Sequence, residues 1–185
     1  MSEQALPKTI YTVGHSNLSI EQFLRLLAQH GIEVIVDVRS APYSRYTPHF
    51  NHDALSSTLN QAGIEHKYAG EYLGGRPKDP TCYKNGQLPD GKADYLKLVD
   101  YPAVATRPWY QKGLARLLEI AGEKTTALLC SEEDPHQCHR HHLIAQTLIE
   151  KGISVQHIRG DGSSVKALSL AEERESRSHQ MSLFE

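Results

Sequence analysis

The chain has 185 residues, with 23% charged, 39% hydrophobic and a net charge of −2. This fits one soluble globular domain with a sizeable core and excludes a wholesale polyanion binder. Three cysteines make an odd count and no disulfide framework. With no apolar run of membrane-spanning length and no signal-peptide pattern, the expectation is a cytoplasmic protein that does not enter membranes.

Residues 1–8 form a polar lead-in. Thr9 to Val13 is predicted as a strand that runs into Gly14-His15-Ser16-Asn17. A glycine at a strand end lets backbone come close to a ligand, so His15 and Asn17 are candidate ligand contacts. Ser19 is placed to cap the next helix, whose buried face carries Phe23, Leu24, Leu26 and Leu27, and Gly31 stops it. Ile32 to Val38 is near-continuously apolar, as a parallel strand covered on both faces should be. Asp37 interrupts it. A carboxylate there is costly unless paired or functional. Asp37 is therefore either a catalytic group or the structural partner of Arg39. The loop after it, with Ser44, Arg45 and two tyrosines, suits an anionic or aromatic ligand.

A helix is predicted over His52 to Ala62 and a strand over Ile64 to Tyr68. Gly74, Gly75 and Arg76 follow, either a turn or a place where backbone amides meet a phosphate. Residues 76–113 read as an insert: a proline-rich loop to Gly91, then helices over Ala93 to Val99 and Pro108 to Ala121. Between Lys67 and Arg116 there are nine Lys/Arg against five Asp/Glu, interleaved with six tyrosines, Tyr68 among them, and Trp109. Basic residues among aromatics fit single-stranded or unstacked nucleic acid, although some of those rings must simply pack.

Thr125 to Ile158 reads as strand, loop, helix, turn and strand. The helix is predicted to start at Pro135, capped by Asp134, and to end at Gly152. Ligands of open parallel sheets sit at the carboxyl ends of strands. Cys130, Glu132, Cys138, His139 and Arg140 all fall at that edge. After a turn-rich stretch a last helix is expected from Val165 to about Arg174. Residues 171–185 are otherwise expected to be a disordered tail. The tail ends Gln180-Met181-Ser182-Leu183-Phe184-Glu185. Its 180–184 stretch resembles the short peptide by which bacterial replication and repair proteins bind the sliding clamp, with Gln180, Leu183 and Phe184 as the contacts and Met181 in place of the usual leucine.

Four blocks, Val13 to Asn17, Asp37 to Ser40 with Pro42, Tyr72 to Gly75, and Cys130 through Cys138-His139-Arg140, resemble in order the bacterial domain-of-unknown-function 488 (DUF488) family. The resemblance covers Thr9 to about Ile158. It implies a single Rossmann-like α/β domain, taken as 9–170, with three layers and a mostly parallel sheet. It implies no settled activity.

The leading expectation is a nucleic-acid-processing enzyme of DNA repair or replication that acts on a flipped base, with glycosidic-bond cleavage tested first. Asp37, Glu132 and His15 would be catalytic. Asn17, Arg39, Ser44, Arg45, Tyr68, Gly74, Gly75, Cys130, Cys138, His139 and Arg140 would bind substrate. One alternative is a non-catalytic adaptor tethered to the clamp. Another is a thiol enzyme working through Cys138 in a first helical turn. No cofactor or metal is expected, because Cys130, Cys138, His139 and His142 have ligand chemistry without a recognised zinc spacing.

Overall fold

A computed structural model describes residues 7–91 and 93–182, the side chains of 177 and 179–182 apart. The elements in order are β1 (Thr9–Gly14), α1 (Ile20–Gln29), β2 (Val34–Asp37), α2 (His52–Gln61), β3 (Glu65–Tyr68), α3 (Gly70–Leu73), α4 (Tyr95–Leu98), α5 (Tyr101–Ala105), α6 (Pro108–Glu123), β4 (Thr126–Cys130), α7 (Gln146–Glu150), β5 (Ser154–Ile158), β6 (Ser164–Lys166) and α8 (Leu170–Ser182). Together they make one six-stranded sheet in the order β3-β2-β4-β1-β5-β6. All pairings are parallel except β5 with β6.

Every residue of β2 and β4 is buried, because helices cover both faces of the sheet. Alternation along the strands deals the side chains to two cores. Val34, Val36 and Leu128 pack with α6 and α7 residues such as Leu114, Leu117 and Leu148. Ile35, Ala127 and Leu129 pack with Phe23 and Leu27 of α1 and Leu55 and Leu59 of α2. The result is the expected three-layer, Rossmann-like α/β fold.

α1 shows how the sequence builds one layer. Ser19 Oγ accepts the Gln22 N–H at 3.2 Å, and Gln22 Oε1 accepts the Ser19 N–H at 2.9 Å, a reciprocal cap. Phe23, Leu26 and Leu27 then share the buried face. Each contributes roughly 1.5–3 kcal/mol by leaving water. The helix ends where Gly31 takes φ +61°.

Three expectations change. The helix expected from Pro135 is broken. Asp134 caps only a short 3-10 turn, Pro135–Gln137, and Cys138 is extended (φ −140°, ψ 142°). Helix resumes as a wide π segment, Arg140–Ala145, that runs straight into α7. Val165 is not helical. Gly162 at φ +90° turns the chain so that 164–166 adds an antiparallel strand to β5, which suits a β-branched residue among serines. Of the expected tail, residues 171–182 are helical. Ser169 and Glu172 form a second reciprocal cap, with the Ser169 N–H donating to Glu172 Oε2 at 2.7 Å and the Glu172 N–H to Ser169 Oγ at 3.2 Å. The Ala-Glu-Glu-Arg-Glu run that follows favours helix without any apolar face. Of the clamp-like peptide, Gln180 ends up on the backbone of α8; Leu183 and Phe184 lie outside the described residues. Among the described residues no helix is long and apolar enough to cross a membrane.

Candidate active site

β2, β4 and β1 are adjacent and parallel, so Asp37, Cys130 and Gly14 reach the same rim. The pleat then separates them. Asp37 follows Ile35 on the α1/α2 face, whereas Cys130 follows Leu128 on the α6/α7 face.

On the α1/α2 side the polar groups are sealed. Asp37 is 0% exposed. Its Oδ1 accepts the Arg39 Nε–H at 2.8 Å and the Arg39 backbone N–H at 3.1 Å, and its Oδ2 accepts from Nη2 at 2.6 Å. Nη1 donates to the Phe50 carbonyl at 2.8 Å and lies 3.2 Å from His15 Nε2. His15 Nδ1 is 3.0 Å from the Ser16 carbonyl, so Nδ1 carries the proton and Nε2 accepts from Arg39. The His15 ring stacks on Phe50 at 4.2 Å between centroids. Burial, then the Arg39 charge, pushes the His15 imidazole down to about 4, so it is neutral at pH 7. Burial alone would raise the Asp37 carboxyl, but the bonds from Arg39, the His66 imidazole 3.5 Å away and the Arg39 charge hold it at about 2. Asp37 and His15 therefore fix Arg39 rather than open on a ligand.

On the other face a cleft of about 470 Å³ opens over β4. Cys130, Cys138 and His139 are buried polar groups of its lining, as is Arg39. Arg39, Ser44 and Tyr43 stand on one wall, Tyr95 and Tyr101 on another, with Gly75, Arg76 and the exposed Glu132 at the edges. The Arg76 guanidinium lies 4.7 Å from the Tyr95 ring centroid. His139 Nδ1 is 3.7 Å from both Cys130 Sγ and Cys138 Sγ. His139 Nε2–H donates to the Leu73 carbonyl at 3.1 Å, which leaves the Nδ1 lone pair facing the two sulfurs. The extended Cys138 lets its sulfur accept the Arg140 N–H at 3.5 Å, at the start of the following helix. Burial works against a Cys138 thiolate. The bond from Cys130, the His139 imidazole and Arg140 outweigh it and hold Cys138 well below the ordinary thiol range. The same bond, burial and the Cys138 charge push Cys130 well above it.

Arg140 is fully buried. Its Nη1 donates to the Glu132 carbonyl, its Nη2 to the Glu133 carbonyl at 2.6 Å, and its Nε to Thr12 Oγ1 at 3.3 Å. These bonds tie the rim loop to β1 and leave Arg140 no arm for a phosphate. Gly74 and Gly75 serve packing. A Cβ on Gly74 would lie 2.5 Å from Ser40 Oγ, and one on Gly75 would lie 2.6 Å from His139 Cγ. A Gly75→Ala chain should thus displace the His139 ring and lose about 1–3 kcal/mol, read as a fall in unfolding free energy, with slower alkylation of Cys138. Asn17 and Arg45 are exposed and outside the cleft, Arg45 bonded to Tyr46 Oη at 2.6 Å. Tyr68 lines a separate groove with Tyr72 and Lys112. Gln137 and Tyr101 join the cleft through the 3-10 turn and α5, elements too short to show a periodic apolar face in the sequence.

The ligand atoms of Cys130, Cys138 and His139 lie within 4.8 Å of one another. This set suits a soft divalent ion such as Zn²⁺, with one position open to the cleft. A family model described as "Domain of unknown function DUF488" matches residues 19–147. Comparison with curated proteins and with solved structures gave no match.

Proposed function

We propose, from the premise that the chain belongs to the DUF488 family, that it is a thiol-dependent enzyme with Cys138 as its nucleophile. One observation carries the reading: two thiols share one imidazole nitrogen at the bottom of an open cleft. His139 Nδ1 takes the Cys138 proton, and the Cys130 S–H donates to the thiolate. The sulfur forms a bond to an electrophilic atom of the substrate. The bond to the leaving group breaks, and the His139 imidazolium returns the proton to that group. The substrate is a nucleotide or unpaired nucleic acid, whose ring stacks among Tyr43, Tyr95 and Tyr101 and whose charge meets Arg76. A glycosidic-bond reading rests on Glu132, the one of the two expected carboxylates that lines the cleft.

Iodoacetamide labelling followed by peptide mapping tests both parts. Label should enter Cys138 ahead of the buried Cys82, and a single-stranded oligonucleotide should slow it. Equal labelling of Cys82 would sink the nucleophile. Undiminished labelling of Cys138 under saturating oligonucleotide would sink the substrate class. Protection of Cys138 by added Zn²⁺, reversed by a chelator, would replace the thiol enzyme with a metal centre.

A further inference from the structure

We infer that His136, His141 and Glu173 form a binding site for a divalent transition-metal ion of the Zn²⁺ class, which pins α8 to the body of the protein. The site lies beyond the cleft, on a cavity of about 240 Å³ beside β5 and β6. The three ligand atoms lie within 4.8 Å of one another. Glu173 Oε1 is 3.0 Å from His141 Nε2 and 3.5 Å from His136 Nδ1.

The His141 side chain is 0% exposed, yet its Nε2 makes no hydrogen bond. The carboxylate oxygen is near enough for one but off its line. Lone pairs that converge on a common point, rather than along a shared proton, are what a cation between them requires. An unbonded buried ring nitrogen is otherwise costly.

The other nitrogen of His141 is already oriented. Nδ1 lies 3.1 Å from His157 Nε2, and His157 Nδ1 lies 2.7 Å from Thr12 Oγ1, which also accepts from Arg140 Nε. Passing N–H groups inward along this chain leaves Nε2 as the free acceptor, the arrangement that outer hydrogen bonds impose on a metal-binding histidine. Two imidazoles and one carboxylate favour zinc-like ions over Ca²⁺ or Mg²⁺, and the cavity leaves room for a water as the fourth ligand. The consequence is mechanical. Past Leu170, Glu173 is the described α8 side chain that is not exposed, so an ion here would attach a helix that has no apolar face.

The test is cobalt(II) titration of the full chain after chelator treatment, carried out in a Cys138→Ser background to remove the cleft thiolate. One ion per chain should bind, with visible d–d bands. Affinity should drop at least about tenfold in His136→Ala and in Glu173→Ala, both at residues peripheral enough to leave the core intact. Bound ion should slow proteolysis within 170–182 in the parent and not in Glu173→Ala. The proposal is overturned if saturable micromolar binding is missing in the Cys138→Ser chain, if both variants bind as tightly as their parent, or if the ion leaves proteolysis of 170–182 unchanged.

Discussion

Replacing Cys138 with serine should abolish covalent capture of electrophiles at the cleft while the chain stays folded. The loss of turnover, once a substrate is in hand, should be at least about 10³-fold. Serine is nearly isosteric, so the place of residue 138 in the core beside α6 and α7 survives. A hydroxyl beside a neutral imidazole, however, is a far weaker nucleophile than a thiolate. Cys130→Ser should behave differently. The Cys130 sulfur lies within 4.8 Å of that of Cys138, and a serine hydroxyl there can still donate to it, so capture should slow by about tenfold or less. Glu132→Gln should leave capture unchanged. Equal loss in Cys138→Ser and Glu132→Gln would return the chemistry to the carboxylate.

The second large effect is on stability. Asp37→Ala leaves the Arg39 guanidinium buried with only the Phe50 carbonyl and His15 as partners. Removal of one member of such a pair costs about 3–5 kcal/mol. For a chain of this size that lowers Tm by roughly 6–20 °C. Asp37→Leu with Arg39→Met, which removes both charges, should recover much of the loss. The pH dependence has a defined sign. The folded carboxyl sits at about 2 against an ordinary 3.8. Its contribution is therefore complete above pH 3.8 and disappears as pH falls from there through 2, roughly 2 kcal/mol in all. Denaturant midpoints measured from pH 6 down to 2 should show this slope in the parent and lose it in Asp37→Ala. The same slope in both chains would mean that another carboxylate carries the acid sensitivity.

The strands were legible because Ala127–Cys130 is apolar without interruption and Ile32–Val38 nearly so, as a sheet covered on both sides requires. That Asp37 and Cys130 share a rim with the end of β1 followed from expecting a mostly parallel sheet with its polar groups at the carboxyl ends of strands; that β1, β2 and β4 are neighbours was not readable. The division of Asp37 and Cys130 between the two faces was present in the sequence. Counting alternate residues from Ile35 puts Asp37 on the opposite side from Val36. The loops beyond the strand ends conceal where that parity leads, because Arg39 swings back onto Asp37. The reciprocal cap of Ser169 and Glu172 was readable too, but a helix without an apolar face has no periodicity to announce it. The kink at Cys138 was not readable. Asp134 and Pro135 satisfy every local rule for starting a helix there, and it is the tertiary fixing of Arg140 that restarts it later. The meeting of His136 and His141 with Glu173 depends on the same long-range folding.

Arg140 has one more consequence. Among the described residues no carboxylate lies within ion-pair distance of it, and each of its three side-chain nitrogens donates to a neutral oxygen. Its charge is thus solvated by neutral oxygens, and it acts on the Cys138 thiol, which it favours as the thiolate. Since it is fully buried, dissolved counterions cannot approach it as they approach a surface lysine. The field of Arg140 on the Cys138 sulfur therefore persists at ionic strengths that silence the exposed charges around the rim.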